Sequence, residues 1–537
     1  MTKMQTSRRR FLGAVGAMGL AAGVAATVSA CGGDNPNKQG SSGGSGGAKA
    51  NKEGTIKAAI SYELGTNGYD PMTTTSALAL AANWHTLEGL TEVMPTGDRE
   101  VYAALAKDMP RQINPTTYEV ELRDGAKFHD GSDVTPEDVA FSFERVMDPA
   151  NESLYVNFIP FIDRVEPAGD KKVKIVLNEP FALLNERLST VKIVPKAAVE
   201  KGKDAFDANP VGSGPYKMTD NGGSSNTVKF ERNEYYTGPL PANAAAMNWE
   251  IIPDESTRTN ALTSSKVQAI DSVPYLSINS LKSKSTVESV QGFGLLFAMF
   301  NNGQKPFSEL KNRQGVMHAF QIDKVIETAF LGNAAAATCF VHDTHPTYKR
   351  ASVVYNGDAE KAKQLFSETG LKNIRMLATD HDWVRKATPI LKESLENVGI
   401  NVDFTESKSA DVYNTIDGKP DAFDLVVAPG DPSVFGNDAD LLMRWWYATD
   451  VWTDNRMHWK GTDTYKTVQS LLDKAASQTG DAQVKTWHQI YDLLSEQVPL
   501  YPLLHRKVPT AWNDESLVDF KPISLTGLSF LDVGTTK

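Results

Sequence analysis

The chain has 537 residues, 41% hydrophobic and 23% charged, with a formal net charge of −11. A chain of that size can carry roughly two or three lobes with substantial cores. Its acidic balance, with no basic tract laced with aromatics, excludes a nucleic-acid binder.

The N-terminus reads as an export signal. Arg8, Arg9 and Arg10 precede Phe11 to Ala26, an apolar stretch of small residues too short and Gly-rich for a membrane span. Ser7-Arg8-Arg9-Arg10-Phe11-Leu12 resembles a twin-arginine signal. Val28-Ser29-Ala30-Cys31 resembles the bacterial lipobox, in which the cysteine takes a diacylglycerol and cleavage falls just before it. Residues 1–30 are then the signal and Cys31 the lipidation site. Two acyl chains anchor a protein stably, at about 0.8 kcal/mol per buried methylene. Loss of the signal removes Lys3, Arg8, Arg9 and Arg10 and no acid, taking the net charge from −11 to −15. With Cys31 lipidated, Cys339 has no partner, so the fold stands without disulfides. Residues 31–54 form a flexible Gly/Ser-rich tether. Its Gly40-Ser41-Ser42-Gly43-Gly44 matches G-x-S-x-G by accident, lacking the strand and helix of a nucleophile elbow.

Thr55 to Ser61 predicts a first strand, and Ser76 to Leu90 an Ala/Leu-rich helix. Tyr118 to Leu122 predicts a strand, with a turn at Arg123-Asp124-Gly125. Thr135 N-caps a helix that has Pro136 at its first position and Glu137 and Asp138 in its first turn. Val139, Phe143 and Val146 give that helix its apolar stripe. In the second half, Asn373 to Thr379 is a strand, and Thr388-Pro389 opens a helix carrying Ile390, Leu391, Leu395 and Val398 that Gly399 ends. The strand Ile400 to Thr405, a short helix over Asp411 to Ile416 and the strand Asp424 to Ala428 complete a β-α-β-α-β run. That run implies a parallel sheet with right-handed crossovers. Ligands sit outside the carboxyl ends of such strands, which makes Pro429 to Asp438 the lip of a site.

Residues 119–146, EVELRDGAKFHDGSDVTPEDVAFSFERV, resemble the signature region of the family 5 extracellular solute-binding proteins, the peptide- and nickel-type receptors of ABC importers. Gly68-Tyr69-Asp70-Pro71, the run Asn209 to Tyr216, Asn312 to Phe320 and Val498 to Arg506 resemble further family motifs in the same order. The resemblance spans residues 55 to 520. It implies an α/β, two-lobed periplasmic-binding-protein-like fold of type II, with mixed sheets and an extra inserted domain. Lobe 1 would comprise residues 55–94, 209–292 and 506–537, the inserted small domain 95–208, and lobe 2 residues 293–505. His129 and Asp130 read as a hydrogen-bonded turn rather than a catalytic pair, since no pocket is placed at this turn.

Several clusters are candidates for chemistry. Cys339, His342 and His345 offer a thiol and two imidazoles, a weak candidate for a metal clip. No H-E-x-x-H, P-loop or paired Cys-x-x-Cys is present, and no cofactor is expected. Trp445, Trp446, Trp452 and Trp459 follow the lip, as cleft aromatics or as lobe core. Tyr62, Asn67 and Tyr69 follow the first strand and are candidate cleft residues. So are Phe300 and Asn301, in a stretch that resembles the family's strand near the hinge. In the family's peptide receptors an aspartate pairs with the ligand's amino terminus; here Ala428 stands at that place. The resemblance therefore leaves the amine anchor to Asp431, Asp438 or Asp440, or to none.

The reading is a lipid-anchored, monomeric receptor on the extracytoplasmic face of the cell membrane. It would bind oligopeptides between two lobes and deliver them to an ABC permease, with no bond making. Oligosaccharide or metal-chelate ligands are the alternative, and a secreted hydrolase is the alternative of another class.

Overall fold

The computed structural model describes residues 49–62, 64 and 68–537. The export signal, Cys31, most of the tether and Asn67 lie outside the described residues. No described helix is long and apolar enough to cross a membrane.

Eleven strands build the main sheet. In chain order they are β1 Thr55–Ile60, β2 Tyr216–Asn221, β3 Thr227–Arg232, β4 Ala246–Ile251, β5 Ala269–Ile270, β6 Thr286–Phe300, β7 Ala334–Ala336, β8 Asn373–Thr379, β9 Asn401–Ser407, β10 Leu425–Gly430 and β11 Leu500–Trp512. Their spatial order is β9-β8-β10-β6-β11-β5-β1-β4-β3-β2, with β7 paired to β11 off that path. β8 lies parallel to β9 and to β10, as the β-α-β-α-β pattern requires. β6 runs antiparallel to β10 and β11, so the sheet is mixed.

Two long strands join the halves of this sheet. β6 and β11 pair from Thr286–Trp512 to Met299–Leu500, and their register breaks between Gln291–Lys507 and Leu295–His505. Gly292 sits at the break because a Cβ there would stand 2.2 Å from the Ser524 carbonyl oxygen. From Gly292 onward β6 is buried on both faces, the apolar run of a strand covered on either side. Ile56, Trp249, Trp512 and Phe530 belong to a core on the β1 side. Phe297, Leu391, Val427 and Trp446 belong to the core around β8, β10 and β6.

A separate four-stranded sheet, ordered Arg111–Asn114, Thr117–Glu121, Lys172–Leu177, Ile162–Pro167, lies in the chain between β1 and β2, an insert between two strands of the main sheet. The helix Pro136–Met147 packs on it. Its N-terminus is a reciprocal cap: the Asp138 amide donates to Thr135 Oγ1, and the Thr135 amide to Asp138 Oδ2. Val139 and Phe143, on this helix, share one continuous core with Leu425 and Trp446. Ion pairs tie the insert both ways, Arg145 to Asp70 and Arg187 to Asp438 and Asp440. The turn at His129 is a tie as well. His129 Nε2 lies 3.2 Å from Gly214 O, and the Gly212 amide donates to Nδ1 at 3.2 Å.

Two helix boundaries differ from expectation. The first helix is Ala77–Thr86 and stops short of Leu90. Leu87 turns extended, and Gly89 lies so close to the backbone at Leu188 and Thr91 that a Cβ would meet their carbonyls. The helix predicted to open at Thr388-Pro389 begins at Asp382, with Pro389 inside it. Val384, Ala387 and Thr388 are buried, so tertiary packing extends the helix upstream of a residue that costs about 3 kcal/mol in a helix interior. The chain's end returns to the first helix: the Phe530 amide donates to His85 Nε2 at 2.8 Å, while Nδ1 faces Ala81 O at 2.8 Å.

Candidate ligand-binding cleft

The carboxyl ends of β8, β9 and β10 all open on one cleft of about 740 Å3. His381 and Trp383 come just after β8, where the helix Asp382–Glu396 begins. Ser409, Ala410 and Tyr413 come just after β9, and Gly430 and Asp431 close β10. Tyr62, just beyond β1, faces them together with Gly294 of β6 and Arg506 of β11.

The two charged residues on this wall carry opposite signs. Asp431 is half-buried, and its Oδ1 accepts from the Ser433 amide at 3.1 Å and from Ser433 Oγ at 2.5 Å. Among the described residues nothing hydrogen-bonds its Oδ2. That oxygen lies 3.3 Å from the point a Cβ on Gly294 would occupy, so the glycine keeps the side open. Burial pushes the Asp431 carboxyl above its ordinary pKa, against the pull of Ser433 and of the nearby Arg506 and Arg99 charges. Arg506 is buried and donates through Nη2 to Thr526 Oγ1 at 3.0 Å. Its guanidinium lies 5.1 Å from the Trp383 ring centroid, within cation–π range. Burial would lower its pKa, but Tyr62, Tyr275, Asp431 and Asp271 together hold it above the ordinary value.

Of the residues nominated from sequence, Tyr62 and Asp431 lie on the cleft wall. Others are corrected by their burial. Tyr69 is fully buried and donates its hydroxyl to Asn221 O at 2.8 Å. Phe300 is buried against Phe307, and Asn301 donates to Phe423 O at 3.1 Å and holds a loop. Trp446 is buried against Phe297 and Trp452. Trp452 is buried too, under the Arg456 guanidinium at 4.4 Å. Trp445 is half-buried and stacks on Phe158 of the insert at 5.8 Å, away from the cleft wall.

Asp438 and Asp440 are not available to a ligand. Arg187, fully buried, bonds Asp438 through Nε at 3.0 Å and Nη2 at 2.9 Å, and Asp440 through Nη2 at 2.6 Å. Burial would lower its pKa; the two carboxylates outweigh that and raise it.

The metal clip does not assemble. Cys339 is fully buried, and burial pushes its thiol up to about 11. His345 is committed through Nδ1 to Thr347 Oγ1 and through Nε2 to Asn437 O, each at 2.9 Å. His342 bonds Thr344 Oγ1 at 2.8 Å, and burial, with His505, His345 and Arg99 nearby, lowers it to about 3. Among the described residues no group of three or more His, Cys, Asp or Glu could hold a metal ion.

Sequence reasoning missed His381, Trp383, Tyr413 and Arg506 on this wall. The signal for the first three was present: the carboxyl-end rule applies to all three parallel strands, not only the last. Arg506 carried no such signal, because β11 reaches the cleft from far along the chain.

The family model for the bacterial extracellular solute-binding proteins, family 5 Middle, matches residues 100–467. The glutathione-binding protein GsiB of Escherichia coli K12 is 26% identical over 477 residues, covering 86% of this chain and 91% of that protein. The dipeptide-binding protein of Pseudoalteromonas sp. SM9913, solved with Met-Leu, superimposes with a TM-score of 0.77 at 18% identity, covering 90% of this chain and 100% of that one. NikA of Staphylococcus aureus, solved with Ni(L-His)2, gives a TM-score of 0.74 at 20% identity, with 90% and 100% coverage. These last two likenesses show the two-lobed fold.

Proposed function

Because this chain belongs to the family 5 bacterial extracellular solute-binding proteins, which are receptors and not enzymes, we propose that its ligand is a peptide. We propose further that the receptor is lipid-anchored through Cys31 and hands its ligand to an ABC permease. The observation that carries the peptide reading is the pairing of opposite charges on one cavity. Asp431 and Arg506 face a space of about 740 Å3, within the range that encloses a drug-sized ligand. A short peptide is zwitterionic, and charge-assisted hydrogen bonds to its ends are roughly twice as strong as neutral ones. Trp383, Tyr413 and Tyr62 add aromatic faces for the side chains between those ends. The relative that binds glutathione and the structural neighbour holding Met-Leu support the same ligand class.

The crossing of β6 and β11 at Gly292 and Arg506 is the natural hinge, since its broken register concentrates backbone adjustment there. Ligand would favour the closed form only by binding it better than the open one. No step of the cycle makes or breaks a bond in the ligand.

Calorimetry of the purified receptor against a panel of di- to pentapeptides and a panel of oligosaccharides tests the ligand class. Heat from peptides alone is the expected result, and heat from oligosaccharides alone overturns it. For the anchor, Cys31→Ser should leave the membrane fraction or accumulate as precursor. A processed variant that still pellets with membranes removes Cys31 as the anchor.

A further inference from the structure

A second cavity opens beside the cleft, with Leu80 and Val434 in the wall of both. It encloses about 50 Å3 between the first helix, the insert and the loop after β10. Trp84 and Phe435 give it apolar sides, and its polar lining includes Asn83, Arg99 and the Glu92–Lys192 pair.

Two buried polar atoms in this lining have no partner among the described residues, Asn83 Oδ1 and Arg99 Nε. The Asn83 assignment is fixed by its other end. Nδ2 donates to the Tyr69 carbonyl at 3.0 Å, so a flipped amide would set oxygen against oxygen. An unpaired buried acceptor costs about 1–3 kcal/mol. Arg99 is the more telling of the two. Among the described residues its only side-chain bond is a long one, Nη1 to Asn437 Oδ1 at 3.4 Å, and no described carboxylate lies within ion-pair distance. It is held at φ 58°, in the left-handed region that L residues seldom adopt.

The charges nearby leave one cation in excess. Lys192 is matched by both oxygens of Glu92. Asp431, the carboxylate on the cleft wall, faces the charges of both Arg506 and Arg99. The combined space therefore sets two arginines against one carboxylate, with Arg99 in the lining of the partly apolar cavity.

We propose that this cavity is an anion subsite of the cleft, which takes a carboxylate of the ligand on Arg99, with a neighbouring ligand donor on Asn83 Oδ1. The assignment rests on the reading of the protein as a peptide receptor, and it narrows that reading to peptides carrying net negative charge. The carboxylate comes from the peptide's C-terminus or from an acidic side chain, two sources with the same chemistry. Trp84 and Phe435 exclude water from the pair, which strengthens it.

The test uses the full receptor and matched tripeptides: Ala-Glu-Ala, its C-terminal amide, and Ala-Gln-Ala. One amide replacement should weaken binding by roughly tenfold to a hundredfold, the magnitude of a charge-assisted hydrogen bond. Loss on C-terminal amidation names the terminus; loss with Ala-Gln-Ala names the side chain. Arg99→Gln should bind the acid and that amide alike, and Arg99→Lys should keep part of the preference. Thermal melts of both variants report whether each is folded. If the wild type binds all three peptides equally, or Arg99→Gln weakens all three by the same factor, the subsite is wrong while the peptide reading stands. If none of a broad panel of peptides binds the wild type, the peptide reading falls and the subsite falls with it.

Discussion

Asp431 and Asp438 sit seven residues apart in one loop, and the fold treats them in opposite ways. The Asp438 side chain is only 6% exposed and is held by two bonds from Arg187, which also reaches Asp440. Asp431 spends one oxygen on Ser433 and leaves the other toward the cleft. A carboxylate whose bonding is complete locks structure together; one left incomplete is free to bind something else. The same contrast separates Arg187, paired with two carboxylates, from Arg99, with a buried Nε that has no partner among the described residues.

Breaking the completed side should cost the most. Arg187→Met strands the Asp438 carboxylate, takes one of two arginines from Asp440 and removes the Nη1 bond to Phe158 O at 2.9 Å. Truncating one partner of a buried ion pair typically destabilises by about 3–5 kcal/mol. Arg444 still holds Asp440, at 2.9 Å, so the lower end of that range is expected. Urea denaturation of wild type and variant measures it. A loss under about 1 kcal/mol, the scale of an exposed pair, would mean that the cluster is not the lock described here.

On the incomplete side, Asp431→Asn should be nearly silent for stability, because the amide oxygen can still cap Ser433. Its effect should appear in binding. A charge-assisted bond to a peptide amine contributes about 1.5–3 kcal/mol, so affinity for free-amine peptides should fall roughly tenfold to a hundredfold. N-acetylated peptides should lose much less. Calorimetry on matched free and acetylated pairs decides; equal losses for both remove Asp431 as the amine anchor.

What the sequence made legible follows the range of each interaction. The cap at Thr135 and Asp138 was readable because its partners are three residues apart. The parallel run was readable because alternating strand and helix patterns leave few topologies. Helix ends were less so: Pro389 argued for a start, and the buried face of Val384 and Ala387 overrode it. The tryptophans show the limit. Trp445 and Trp446 are adjacent in sequence, yet Trp446 goes inside because Gly430 makes room for it; a Cβ there would stand 2.3 Å from its ring. Trp383, which does line the cleft, stands alone in sequence and is marked only by its place just after β8. Arg506 and Asp431 reach one cavity from β11 and the end of β10, strands separated in the chain by several helices and in the sheet by β6, and only folding brings them together.

The smallest effect concerns a completed imidazole and shows only in acid. His85 accepts from the Phe530 amide at Nε2, so Nδ1 must carry the hydrogen that faces Ala81 O. Protonation would add a hydrogen at Nε2 and set it against the Phe530 amide. Burial accordingly lowers the His85 pKa from 6.5 to about 4, with the Ala81 bond opposing. The sign follows from proton counts. Between about 4 and 6.5 the unfolded chain binds a proton at His85 that the folded chain refuses, so stability rises with pH across that window. The contribution is fully present above 6.5 and is lost as pH falls toward about 4. His85→Gln also loses the ring contact with Trp249 at 5.1 Å, which lowers stability at every pH and leaves the slope untouched. The slope is therefore the readout. Unfolding free energies from urea titrations at a series of pH values should climb less steeply in the variant than in the wild type. Parallel curves across the window would show that His85 takes up its proton in the folded state, and that the C-terminal segment is not held through a neutral imidazole.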